Sequence, residues 1–350
     1  MATMNAINVM DIEKMIDNTE TNVKLTSAEI GKLWATYMGN SMSKCVLNYY
    51  LNHVEDQDIQ QVLQQALHLS EQFVDTIKNI FQRDNVAVPV AFTEEDVNVG
   101  APRLYEDEFY LHYLKYAAKA GMSIYIIAIP IMTRSDVRTF FTHCLNSTVK
   151  LINEVNDILA AKGYLIKPPY IPMPDETDFV TKQNYLNGFF GDVRPLHALE
   201  IAHLYDNIQN NATSKAVLIG FGQVAKLRQV KDYFRKGKEI CSRHIDICSE
   251  LLTKEDLPAL PLVDHLVTES TFSPFSDKLM MFHKLDMFAM RIRNYGNSMA
   301  VSARHDLAAK YAKFIVDVGN YVEDGANTMI DLGWMEQPPK AADRDAIVKK

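Results

Sequence analysis

One pair of residues in this chain has the spacing of metal ligands in a helical bundle: Glu200 and His203, which form a Glu-x-x-His motif. In bundles that bind two metal ions, two helices each supply such a pair and the other two helices each supply a glutamate. Glu239 and His283 lie on two further predicted helices and could extend the set. Carboxylate and imidazole ligands suit iron or manganese, so the sequence raises a metal site at these four residues as an alternative hypothesis.

A glycine-rich stretch, residues 217–225, imitates the turn that holds a dinucleotide. That turn works only between a strand and a helix, whereas the residues from Pro195 onwards have a helical pattern. We therefore expect Gly220 and Gly222 to end a helix or to admit a close neighbour, and we expect no nucleotide cofactor.

A basic stretch runs from Lys226 to Arg243 and could meet an anionic partner. Asp232 and Glu239 are interleaved with it, which favours a solvent-exposed helix face. The sequence contains no Gly-x-Ser-x-Gly turn and no other arrangement of a nucleophile with a base. We therefore expect no catalytic residues, and a protein that is not an enzyme.

The elements that must position these residues come from an internal repeat. Residues 25–30 return as residues 196–201 after 171 positions, and residues 134–136 return as residues 304–306 after 170 positions. One residue is therefore lost within the repeat. A period of this length matches a whole domain rather than a solenoid unit, so the sequence predicts two copies of one fold in tandem.

The repeat weakens the metal hypothesis, because Glu29 and Lys32 stand in the first copy where Glu200 and His203 stand in the second. A lysine cannot ligate iron in its ammonium form. Half of the ligand set is therefore missing from the first copy, and we expect no cofactor unless the second copy alone binds iron or manganese.

The hydrophobic pattern is helical nearly everywhere and contains no convincing strand. In the first copy it predicts four helices, of which the first starts at a capping box, Thr26-x-x-Glu29. The third, over about residues 106–130, is apolar on almost every side, so we expect it in the interior. The fourth is predicted to start at a second cap signal, Thr133-x-x-Asp136.

A long crossover that contains proline separates the second predicted helix of each copy from the third, as in ferritin-like bundles. The sequence thus predicts an all-α protein of two tandem ferritin-like four-helix bundles from an internal duplication, at residues 25–166 and 195–339. The four helices of the second copy are predicted near residues 196–222, 227–252, 276–302 and 304–333.

The remaining segments are an N-terminal arm (residues 1–24), which we expect to be partly disordered, a linker (residues 167–194) and a C-terminal tail (residues 340–350). The first part of the linker is proline-rich and is predicted to be an extended spacer. Its second part is aromatic, with Phe179 and Phe190 among its residues. We expect this part to dock across both bundles and to fix their relative orientation.

The composition, 47% hydrophobic and 23% charged residues, is that of ordinary soluble domains. A net charge of −8 argues against binding to nucleic acid or to a membrane surface. The first 24 residues lack the pattern of a signal peptide, and the four cysteines form no CxxC pair. We therefore expect free thiols and a cytoplasmic location.

Taken together, several segments resemble a family of uncharacterised proteins from endospore-forming Bacillus-type bacteria that is related to the spore coat protein F-like group. The resemblance runs from about Leu25 to the C-terminus and implies tandem ferritin-like bundles and a link to sporulation or the coat. It supplies no activity, cofactor or catalytic residue. The segments include Leu25-Thr-Ser-Ala-Glu-Ile, Phe92-Thr-Glu-Glu-Asp-Val-Asn, Thr133-Arg-Ser-Asp-Val-Arg, Lys167-Pro-Pro-Tyr-Ile-Pro and Pro274-Phe-Ser-Asp-Lys-Leu-Met-Met-Phe-His.

Two classes of function follow from the sequence. In the first, which we prefer, the chain is a non-catalytic structural or interaction protein that self-associates through its bundle faces or binds other spore or coat proteins. In the second, the second bundle binds iron or manganese through Glu200 and His203 and serves redox or storage work. A hydrophobic ligand held between helices is a third option.

Overall fold

The structure, a computed structural model, describes residues 23–348. The predicted N-terminal arm therefore lies outside the described residues except at its last two positions. Eight long helices fill this range, four in each copy, and the described chain contains no β-strand. The helices of the first bundle are α1 (Ser27–Leu51), α2 (Gln57–Arg83), α3 (Asp107–Ala128) and α4 (Ser135–Ala161). Those of the second bundle are α5 (Ala198–Val224), α6 (Arg228–Thr253), α7 (Asp277–Val301) and α8 (His305–Asp331), and a short α9 (Arg344–Val348) follows in the tail.

The helix starts confirm the repeat and locate the lost residue. Equivalent helices begin 171 residues apart for α1 and α5 and for α2 and α6, and 170 residues apart for the two later pairs. Asn85 and Asp256, which are left-handed with φ of 53° and 57°, still follow the longer spacing. The 3₁₀ turns Glu94–Asp96 and Asp264–Leu266 already follow the shorter one, so the residue is lost in the crossover between them.

In the first bundle, one of the two predicted helix caps is present and the other is not. The capping box at Thr26 and Glu29 is present. The cap signal predicted for α4 is wrong, because the N-cap is Arg134 and no side chain caps it. Thr133 instead donates its hydroxyl to Glu29, with Oγ1 2.9 Å from Oε1. Asp136 accepts from Arg134, with its Oδ2 2.7 Å from Nη2.

Helix α3 is interior only in its first half. Phe109, Tyr110 and the residues that follow them are buried, as predicted, but Ile126, Ile127 and Ile131 at its end are exposed. The segment Asp107–Ile131 has the length and apolar composition of a membrane span, with 28% of its most apolar 18-residue window buried. The prediction of a helix that is buried on all sides is therefore wrong for its last turns.

The two crossovers pair with each other across a pseudo-two-fold axis. Val97 forms an antiparallel bridge with Phe275, and Tyr105 forms one with Val267. Val97 and Val267 are equivalent in the repeat, and so are Tyr105 and Phe275. Each copy therefore presents the same surface to the other, as in an isologous dimer.

Helices α3 and α7 run side by side along this axis. The hydroxyl of Tyr113 lies 2.9 Å from Nε2 of His283, its own equivalent in the second copy. Arg293 donates to Ser123, again its own equivalent, with Nη2 3.0 Å from Oγ. One hydrophobic core runs through both bundles, so the contact joins them into a single packed body.

A glycine of the glycine-rich stretch, residues 217–225, makes one of these inter-bundle contacts possible. Gly220 lies inside α5, and the ring of Tyr105 from the first copy packs against its backbone. The Tyr105 hydroxyl donates to the carbonyl oxygen of Val217 at 3.1 Å. The expectation of a glycine that admits a close neighbour is confirmed.

The linker does not dock across both bundles, which corrects the sequence prediction. Phe179 and Phe190 are 80% and 87% exposed. The linker is held at its two ends, by the hydrogen bond from the Tyr205 hydroxyl to the carbonyl oxygen of Ile166 and by the ion pair of Arg194 with Glu200. The paired crossovers and the α3–α7 contact hold the orientation of the bundles instead. Apolar side chains are buried at these contacts, whereas the aromatic side chains of the linker stay in solvent.

We predict that Gly220→Ala destabilises the protein by about 1–3 kcal/mol, because the added methyl overpacks a filled contact. Its Cβ would lie under 3.0 Å from the Tyr105 ring, closer than real Cβ atoms approach. Urea unfolding at equilibrium measures the loss. The matched control is Gly222→Ala in the same helix, where the nearest atom is Phe234 Cβ at 3.9 Å. That control should be neutral or stabilising, and equal losses in the two variants would contradict the packing argument.

Candidate functional site

Glu200, the first predicted metal ligand, is fully buried at the start of α5. Arg194 donates two parallel hydrogen bonds to its carboxylate, both of 2.9 Å. The backbone amides of His197 and Arg304 donate at 3.1 and 3.3 Å. Burial raises the pKa of Glu200, but the hydrogen bonds from Arg194 and His197 outweigh it and hold the pKa below its ordinary value. Structural donors therefore occupy both oxygens that a metal would need.

Glu29 does the same work in the first bundle with different donors. The amide and hydroxyl of Thr26 donate at 2.7 and 2.8 Å. The amides of Thr133 and Arg134 donate at 2.9 and 2.8 Å, and the Thr133 hydroxyl donates at 2.9 Å. In both bundles the glutamate ties the start of the first helix to the start of the fourth.

The structure does not bring the other predicted ligands to Glu200. His203 is half-buried and lies 3.2 Å from the Ser298 hydroxyl. Glu239 is exposed on α6, whereas His283 is fully buried on the axis with Tyr113. Within residues 23–348, no group of three or more histidine, cysteine, aspartate or glutamate side chains could hold a metal ion.

Two further sequence features have structural roles. All seven lysines and arginines of the basic stretch are exposed, and Asp232 lies 3.1 Å from Arg235, as expected for a solvated helix face. The four cysteines are free and buried, which confirms the expected free thiols. Burial raises the pKa of the Cys248 thiol to about 12, so this sulfur stays protonated and inert.

The core of the second bundle contains two basic side chains, Lys284 and Arg291, that hydrophobic periodicity does not reveal. Lys284 is fully buried and donates to the Ser214 hydroxyl at 2.8 Å. Burial lowers the pKa of Lys284 to about 7. Arg291, 1% exposed, lies one heptad further along α7. No carboxylate in the described chain forms an ion pair with either cation.

Neutral and aromatic groups surround the Arg291 guanidinium. It donates to the Asn211 side-chain oxygen, to the Tyr295 hydroxyl at 3.2 Å and to the Cys241 sulfur at 3.3 Å. Its central carbon lies 4.3 Å from the centre of the Phe288 ring, in a cation–π contact. Nε keeps no hydrogen-bond partner.

The equivalent place in the first bundle is a cavity. Gly121 stands where Arg291 stands in the second copy, and the space beside it is filled only in part, by the ring of Tyr125. Two adjoining chambers of about 80 and 70 Å³ meet at Gly121, Asn40 and Tyr125. A water needs roughly 10–15 Å³ measured in this way, so each chamber has room for several waters or for a small polar group.

Only one signal in the sequence points to this site. A hydrophobicity pattern assigns an arginine such as Arg291 to the surface, and it cannot show that Gly121 borders a cavity. Aligning the two copies at 170 residues places these two residues at one position, where a glycine replaces the longest side chain. The alignment therefore marks a position at which the interiors of the two copies differ.

Comparisons with known proteins place the whole chain in one family. The family described as a protein of unknown function (DUF3231) matches twice, at residues 13–176 and residues 185–347. Among curated proteins, none matches the chain. A crystal structure of a putative spore coat protein from Bacillus halodurans C-125 is similar at 19% sequence identity, with a TM-score of 0.37. That similarity covers 45% of this chain and 98% of the other chain.

We predict that Glu200→Gln costs about 3 kcal/mol of unfolding free energy at pH 7, because it leaves the Arg194 charge without its partner. The lowered pKa of Glu200 means that the carboxylate contributes stability above its unfolded-state pKa, about 4.3. That contribution is lost as the pH falls through the lower folded-state pKa. Urea unfolding between pH 7 and pH 3 should therefore show the difference from the wild type shrinking in acid. The exposed Glu239→Gln variant serves as the control, and a loss there equal to that of Glu200→Gln would contradict the role of Glu200.

Proposed function

We propose that this chain, which belongs to the DUF3231 family of proteins of unknown function, is a non-catalytic structural or interaction protein associated with sporulation or the spore coat. In this proposal it works in the cytoplasm of the sporulating cell and binds copies of itself or other coat proteins. Its motif resemblance to the spore coat protein F-like group supports the sporulation part of the proposal.

The linker carries the interaction part of the proposal. Several of its large apolar side chains are more than half exposed, and they follow one another within one segment. Exposed apolar groups that cluster in this way mark surfaces which bind other proteins. Each aromatic ring that a partner buries makes the free energy of binding more favourable, in proportion to the apolar area removed from water. The residues concerned are Tyr170, Met173, Phe179, Phe189 and Phe190.

The internal two-fold axis explains why the linker, rather than the inner bundle faces, is available. α1 and α3 pack against α5 and α7, so each copy already covers the inner face of the other. A second molecule cannot bind there without separating the bundles. Self-association therefore uses the outer surface, to which the linker contributes exposed aromatic side chains.

The two ends of the linker are anchored, which favours a defined binding surface. The Tyr205 hydroxyl on α5 donates to the carbonyl oxygen of Ile166 at the start of the linker. Arg194 at its end pairs with Glu200. The aromatic segment between them therefore stays close to the second bundle, and a partner that binds it loses less conformational entropy than with a free tail.

We predict that the purified protein exceeds its monomer mass of 39.8 kDa in light scattering at high concentration. Phe179→Ser combined with Phe190→Ser should shift it towards the monomer, because these substitutions remove two strongly exposed aromatic rings of the linker. Val316→Ser combined with Ile330→Ser, at exposed apolar positions of α8, is the matched control. A wild type that stays monomeric at every concentration, with no coat protein captured in sporulating cells, would overturn the proposal.

A further inference from the structure

The cavity of the first bundle has the chemistry of a receptor for a positive charge. We propose that it binds a small organic cation with a guanidinium head, which occupies the place that the Arg291 side chain fills in the second bundle. The bound ligand would give the first bundle the guanidinium group that the second bundle has as part of Arg291.

The groups that receive the Arg291 guanidinium recur in the cavity. Asn211, Tyr295 and Cys241 accept its hydrogen bonds, and their equivalents in the first copy are Asn40, Tyr125 and Ser70. All three equivalents line the larger chamber. Two are identical residues, and the third replaces a thiol by a hydroxyl, which is the better acceptor for an N–H donor. The acceptors are therefore in place, and only the donor is missing.

The walls of the cavity also suit a planar cation. Arg291 lies over the Phe288 ring and 5.9 Å from the centre of the Tyr295 ring. In the first bundle Tyr125 keeps the second of these rings, and Phe73 adds another to the lining. Ala118 stands in the first bundle where Phe288 stands in the second. The smaller side chain widens the pocket, which leaves room for a free ligand.

A carboxylate at the second chamber adds the charge that a free cation needs. Asp286 of α7 is half-buried, lines this chamber and forms no hydrogen bond or ion pair with any described residue. Burial raises the pKa of Asp286, although the charge of Arg293 opposes the shift. Arg293 donates to Ser123 instead of Asp286, so the carboxylate remains available to a ligand.

A second polar group in this chamber lacks a partner. Thr36 is 2% exposed and lines the chamber. Its buried hydroxyl makes no hydrogen bond. Leaving a buried hydroxyl unpaired costs free energy, so native structures rarely do so without a bound group or water. A polar ligand bound in this chamber would give the hydroxyl a partner.

The test is calorimetric titration of the full chain with methylguanidine, at concentrations well below those at which guanidinium unfolds proteins. We expect saturable binding of one methylguanidine per chain and a rise in melting temperature. Asp286→Asn should weaken the binding about tenfold, because it removes the charge partner. Asp246→Asn, at an exposed carboxylate of the second bundle, should bind like the wild type.

Gly121→Arg is the decisive variant, because it rebuilds in the first bundle the arrangement of the second. Its Cβ would lie 3.2 Å from the Tyr125 ring, so that ring must shift by a few tenths of an ångström. The folded variant should lose methylguanidine binding while keeping a melting temperature at or above that of the wild type. If it does not fold, Asp286→Asn carries the test alone.

Two results would overturn the proposal. One is the absence of saturable methylguanidine binding to the wild type. The other is wild-type affinity in either Gly121→Arg or Asp286→Asn. Methylamine in a parallel titration tests the shape of the head group, since an ammonium ion lacks the planar fork that Asn40 and Tyr125 would share. Affinity for methylamine equal to that for methylguanidine would also contradict the assignment of a guanidinium.

Discussion

Helices α3 and α7 run side by side along the internal two-fold axis, and the other elements of the chain are arranged around this contact. In a dimer of identical chains, each residue on the axis would meet its own copy. Two arginines would then repel each other at the position of Arg293. Fusion of the copies removes that restriction, and the axis now holds complementary pairs: Tyr113 with His283, and Ser123 with Arg293. Each pair forms a hydrogen bond across the axis.

The same freedom explains how the interiors of the two bundles came to differ. A buried guanidinium without a carboxylate is costly, and Arg291 is tolerated because Asn211, Tyr295 and the Phe288 ring surround it. In the first bundle the corresponding Gly121 removes that cost and leaves a pocket that is partly open to solvent. One copy therefore accepts a buried charge and the other a pocket, while the contact on the axis keeps both bundles folded as one unit.

The sequence predicts the helices, the repeat and the crossover because all three follow from hydrophobic periodicity and from spacing along the chain. It fails where an interaction partner is distant in sequence. Thr133 has the residue type of a cap, but Glu29 takes its hydroxyl from another helix. Phe179 has the residue type of a core residue, but no surface of either bundle reaches it. Glu200 has the spacing of a metal ligand, but Arg194 from the linker occupies its carboxylate. Periodicity reports which face of a helix is apolar, and it contains no information about which of several polar partners lies opposite.

The buried glutamates that tie the first helix of each bundle to the fourth also connect the fold to the exposed linker. Glu29 is satisfied by Thr26, Thr133 and Arg134, all of which belong to its own bundle. Glu200 instead depends on Arg194, because His197 replaces Thr26 and offers its carboxylate no hydroxyl. The linker thus supplies a charge that the second bundle needs, and the bundle in return fixes the end of the linker. Because a buried ion pair is costly to break from one side, the aromatic segment stays beside the second bundle even though its own rings contribute little to holding it there.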